Sequence, residues 1–137
     1  MAVFSYSAWS NCEPAELIEK LEYIFSQRGF SLPHPLRKMC QVWDEEGNYS
    51  YCDPASLCTL TSEDLPFSVQ WWRGDDNDYN SILVTLKSEK GGIVCLVYLS
   101  GLKRSEEAEL GRLLIEHIVP PKWDFPDDYA VFTLTAW

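Results

Sequence analysis

The stretch SILVTLKSEKGGIVCLVYLS, residues 81–100, constrains the fold of this chain most. Two apolar runs, residues 82–87 and 93–99, flank a charged tip that ends in Gly91-Gly92. That is the pattern of a β-hairpin, with glycine supplying positive φ at the turn. In the second run Val94, Leu96 and Tyr98 are as apolar as Ile93, Cys95, Val97 and Leu99. A strand apolar on both sides needs cover on both, so the hairpin is expected in the middle of a sheet.

The flanking sequence supplies that cover. With 137 residues, 46% hydrophobic and 14% aromatic, the chain reads as one globular domain. A chain of this size buries about two-thirds of its unfolded surface in a single core. Residues 3–9 alternate aromatic and small side chains and read as a first strand. Pro14 suits the first position of a helix capped by Cys12 or Glu13, and Leu17, Ile18, Leu21, Ile24 and Phe25 form one apolar stripe ended by Gly29. Pro33 and Pro35 make the next segment a connector. Residues 38–43 and 49–52 read as strands across a turn containing Gly47 and Asn48, residues 56–65 as an extended crossing or a helical turn, and residues 67–73 as a further strand.

A second helix is expected over residues 106–119, capped by Ser105 and stopped by Pro120-Pro121, with Leu110, Leu113, Leu114, His117 and Ile118 as its stripe. Residues 129–137 alternate as a last strand, and the strand–helix–strand order allows it to lie parallel to residues 93–99. The expected fold is therefore α+β: a single, mainly antiparallel, twisted sheet of about seven strands with two amphipathic helices packed on one face. Leu21, Ile24, Val84, Leu96, Val97, Leu110 and Leu114 are the expected core.

Composition narrows the chemistry. Net charge is −10, from 21 acids against 11 bases. Duplex nucleic acid is disfavoured as a ligand, because phosphate contacts need clustered Lys and Arg, whereas a basic protein surface suits the charge. No apolar run approaches the ~20 residues of a membrane span, and MAVFSYSAWSNC has neither a basic nor a long apolar segment. A cytoplasmic protein without a membrane partner is expected. Five cysteines, at 12, 40, 52, 58 and 95, form an odd and scattered set, which suits free thiols in a reducing compartment.

Catalytic and cofactor patterns are tested and set aside. The two histidines are His34, between prolines, and His117, on a helix stripe beside Glu116. No metal-ligand spacing or phosphate-binding glycine loop occurs, so no cofactor is expected. Asp76, Asp78 and Asn80 match the opening of a calcium loop, but Ser81 and Lys87 stand where glycine and glutamate are required.

What remains is surface. Trp71 and Trp72 are adjacent on a strand and point to opposite faces, so one can be core and the other is expected to need cover or a partner. They lead into Asp75, Asp76, Asp78 and Tyr79. A second cluster holds Trp123, Asp124, Phe125, Asp127 and Asp128. Aromatic anchors among carboxylates suit capture of a basic protein. The expected function is non-catalytic binding and neutralisation of such a partner, as in immunity or antitoxin proteins. The alternatives are a small enzyme using His117 with a cysteine or carboxylate, and a self-associating or ligand-binding module.

Overall fold

The apolar hairpin stands at the centre of a seven-stranded sheet. A computed structural model describes residues 4–74 and 80–136. The strands are β1 (Phe4–Ser10), β2 (Cys40–Trp43), β3 (Tyr49–Cys52), β4 (Phe67–Arg73), β5 (Asn80–Glu89), β6 (Gly92–Ser100) and β7 (Phe132–Ala136), in the order β3-β2-β4-β5-β6-β1-β7. Every neighbouring pair is antiparallel. The two helices are α1 (Pro14–Ser26) and α2 (Arg104–His117).

The hairpin turn is Lys90-Gly91, with φ of 53° and 77°, between the last pair Glu89 and Gly92. Positive φ at both central residues matches the right-handed twist of the flanking strands. Gly92, expected in the turn, is instead the first residue of β6. It is needed for space: a Cβ there would fall on the Ser10 carbonyl and the Trp9 ring.

Both helices lie on one face of the sheet, as the stripes predict. Register aligns Tyr6, Val97, Val84 and Val69 across β1, β6, β5 and β4, and Trp71 shares their face. Against that face α1 buries Leu17, Leu21, Ile24 and Phe25, and α2 buries Leu110, Leu113 and Leu114. Phe25 meets Trp71 edge-on at 5.0 Å. The Tyr6 hydroxyl donates to the Glu107 carbonyl at 2.6 Å. α1 ends through left-handed Gly29, with Gly29 N–H donating to Ser26 O and Phe30 N–H to Phe25 O. These two bonds satisfy terminal carbonyls and turn buried Phe30 back into the core.

Three expectations are corrected. Leu96 is only half-buried, because it points to the face opposite the helices, one residue out of step with Cys95 and Val97. α2 begins at Arg104 rather than after Ser105, since the Glu106 carboxylate reaches back to the Lys103 N–H at 3.3 Å and also binds Arg73. The last strand does not neighbour β6. It runs in the same direction, but β1 lies between them and pairs antiparallel with each. β1 is buried along most of its length and requires neighbours on both edges. Residues 56–65 resolve into parts of two short 3₁₀ turns, Pro54–Thr59 and Ser62–Asp64, with Leu57 buried. All five thiols are free. Among the described residues no helix is long and apolar enough to cross a membrane.

Candidate functional site

The tryptophan pair does not form a surface anchor. Trp71 is fully buried on the helix face, where its indole N–H donates to Glu22 Oε2 at 2.5 Å. Trp72 points to the other face and is only 6% exposed. Its cover comes from the proline-rich connector. β2 and β4 pair only at Val42–Val69 and Trp43–Ser68, and the connector enters the gap beyond, bridging Ser31 to Trp72 and Pro33 to Cys40. Ser31 and Trp72 exchange backbone hydrogen bonds of 2.7 and 2.8 Å, and the His34 ring lies 4.6 Å from Trp72. His34 Nδ1 accepts the N–H groups of Leu36 and Arg37. His34 therefore organises the connector that seals Trp72.

Asp75, Asp76, Asp78 and Tyr79 lie outside the described residues. The strand ends that flank them are firmly held. Arg73 donates to both carboxylate oxygens of Glu106, at 2.5 and 3.2 Å, and its guanidinium stacks 4.5 Å from the Phe30 ring centre. That hydrogen bonding holds the Glu106 carboxyl below its ordinary range. The pair ties the end of β4 to the start of α2.

The second cluster is exposed as a unit. Trp123 is 80% exposed and Phe125 37% exposed, while Asp124, Asp127 and Asp128 all face solvent. Pro120 and Pro121 end α2 here, and residues Lys122–Asp124 make a single 3₁₀ turn. Asp128 has a φ of 51°, a left-handed conformation that Asp tolerates better than most residues. The next residue closes the loop. The Tyr129 hydroxyl donates to Glu89 Oε2 at 3.0 Å, and its ring meets Trp9 edge-on at 6.5 Å. The Trp9 indole donates to the Glu89 carbonyl at 2.8 Å. Burial first, and the Glu89 carboxylate second, push the Tyr129 phenol up to about 12. The loop is thus an exposed aromatic–acidic tip on a fixed base. Glu89 joins the three aspartates on its rim, and Lys90 and Lys122 offset only part of their charge.

The described residues on either side of the first stretch lie far from the second cluster. Arg73 and Asn80, which bracket the first, pair at one end of β5, and Tyr129 docks on Glu89 at the other. At strand rise these ends are about 30 Å apart. Tyr129, expected at the start of the last strand, precedes β7 and holds Glu89 instead. Nothing in the local pattern joins residues 40 positions apart.

His117 is half-buried, edge-on to Tyr23 at 5.6 Å. A cavity of about 360 Å³ beside it is lined by Glu16, Glu19, Lys20, Tyr23 and His117, with carboxylates but no cysteine. Among the described residues no three His, Cys, Asp or Glu side chains are grouped to hold a metal. Comparison with protein families, characterised proteins and solved structures finds no match for this chain.

Proposed function

We propose that this chain is a non-catalytic, acidic, cytoplasmic protein that binds and neutralises a basic protein partner, in the manner of an immunity protein or antitoxin. The observation that carries the reading is Trp123, 80% exposed among Asp124, Asp127 and Asp128 on a loop whose base is fixed by Tyr129 and Glu89. An indole that far into water has a hydrophobic area to bury, and a fixed loop base lowers the ordering cost of burying it on a partner. The surrounding carboxylates add long-range attraction for a cationic surface, and the net charge of −10 extends that field over the molecule. The test is capture from the native host at low salt, followed by co-expression with the captured protein. The reading expects a basic partner whose toxicity or activity is suppressed by the chain but not by its Trp123→Ala variant. Suppression that survives Trp123→Ala and disappears with His117→Ala would transfer the function to the cavity at His117, Glu16 and Glu19.

A further inference from the structure

β7 is an edge strand with the composition of an interior one. Phe132–Ala136, FTLTA, has no charge and no proline, and four of its five residues are exposed, Leu134 to 53%. Natural edges of this kind are normally shielded by charge, proline or a bulge. Among the described residues nothing covers this one.

The register shows which backbone groups face outward. Trp9 N–H donates to Val131 O at 2.8 Å, and that pair continues the alignment of Ser7 with Thr133 and Ser5 with Thr135. Antiparallel pairs alternate between hydrogen-bonded and non-hydrogen-bonded. Val131, Thr133 and Thr135 therefore turn N–H and C=O toward β1, while Phe132, Leu134 and Ala136 turn theirs to the open edge. The outward set is symmetric about Leu134. We propose that β7 pairs with the β7 of a second copy of this chain, antiparallel about a two-fold axis at Leu134, joining two seven-stranded sheets into one.

In that register Leu134 meets its own counterpart, Phe132 meets Ala136 in both directions, and Thr133 faces Thr135. Each contact is an apolar or Thr–Thr cross-strand pair, and the interface is self-complementary, as a two-fold requires. Charge fits the same orientation. Exposed Lys103 and Arg104 sit at the Ala136 end of the strand, where Arg104 stacks 5.2 Å from the ring of Phe4, the register partner of Ala136, and also pairs with Glu107 at 3.2 Å, which leaves Lys103 as the main positive charge there. Asp127 and Asp128 precede the strand at the opposite end. Antiparallel pairing sets the basic end of each copy toward the acidic end of the other.

The test is sedimentation equilibrium across micromolar to millimolar concentration. The wild-type chain is expected to approach twice its monomer mass, whereas Leu134→Pro, which removes an outward N–H and leaves the β1 ladder intact, stays monomeric with its circular dichroism unchanged. Leu134→Lys and Leu134→Glu are each expected to be monomeric alone. An equal mixture of these two should associate at least tenfold more tightly than either, because the substituted side chains face one another only in this register. A wild-type chain that stays monomeric throughout would overturn the proposal. So would association that survives Leu134→Lys, or a mixture no tighter than its components. A monomer that loses binding to a basic partner on Leu134→Pro would also overturn it and assign the edge to a foreign strand.

Discussion

The Tyr129 hydroxyl donates to Glu89 Oε2 across 3.0 Å and 40 residues of sequence, tying the exposed acidic loop to the tip of the central hairpin. The loop inherits its rigidity from the best-paired part of the sheet, because β5 and β6 match in register from Ser81–Ser100 to Glu89–Gly92. Trp9 completes the base from the other side, donating its indole N–H to the Glu89 carbonyl.

This tie predicts a pH response. The Tyr129 phenol is pushed up from 10.0 to about 12, so the fold favours its protonated form. That contribution is fully present below pH 10 and is lost as pH rises through about 12. Burial pushes the Cys95 thiol from 9.0 to about 12 in the same direction. Urea unfolding should therefore show stability falling from about pH 9 upward. Tyr129→Phe should lower stability at pH 7 by about 0.5–1.5 kcal/mol and make the alkaline fall shallower. An unchanged alkaline slope in Tyr129→Phe would show that this phenol does not contribute.

Trp71 and Glu22 predict a second, local cost. The indole N–H is the hydrogen-bond donor that α1 presents its half-buried Glu22 carboxylate to, at 2.5 Å. Trp71→Phe keeps much of the ring packing against Phe25 but removes that donor, and should cost about 1.5–3 kcal/mol. Glu22→Gln keeps an acceptor in place and should cost less. Chemical denaturation checks the order, and a Glu22→Ala variant as stable as wild type would show that packing alone holds the tryptophan.

The residues that were legible share one property: their partners are near in sequence or repeat with a fixed period. β3 and β4 have the expected bounds, and Leu21, Ile24, Leu110 and Leu114 are buried, because alternation and helical stripes record which side faces the core. Trp72 was not legible, since its cover arrives from Ser31 and His34, some forty residues earlier. The position of β7 was not legible either. A strand–helix–strand pattern gives direction but does not say that β1 already occupies the edge of β6. Of the two aromatic–acidic stretches, composition could not separate Trp123 at 80% exposure from Trp71 at 0%, because their neighbours in sequence are equally acidic.

The hairpin tip offers opposite substitutions at neighbouring positions. Lys90 holds a φ of 53°, a conformation Asn adopts more readily than Lys, and it precedes Gly91. Lys90→Asn should raise stability by about 0.5 kcal/mol. Gly92→Ala should lower it by about 1–3 kcal/mol, because its Cβ falls on the Ser10 carbonyl and the Trp9 ring. Thermal melts of the two variants, compared with wild type, should move in opposite directions. A neutral Gly92→Ala would mean that β1 and β6 separate easily at this end.

The loop carrying Trp123 makes the most discriminating prediction, because its two kinds of side chain act on different rates. Asp124, Asp127 and Asp128 are exposed, so their charge acts through solvent on an approaching cationic surface. Reversing all three to Lys should slow association with a basic partner and flatten its salt dependence, while the melting temperature stays nearly constant. Trp123 has little of its surface buried in the free chain, so truncation to Ala removes little from the fold. If it inserts into a pocket on the partner, Trp123→Ala should leave association almost unchanged and speed dissociation, with a loss of about 2 kcal/mol or more in affinity. Stopped-flow association and dissociation at two salt concentrations separate the effects. Tyr129→Phe serves as the third arm: a loosened loop base should raise the ordering cost of binding and weaken affinity without altering the charge of the surface. Were all three variants to bind as wild type, while reversal of Asp75, Asp76 and Asp78 abolished binding, the interface would belong to those three residues instead.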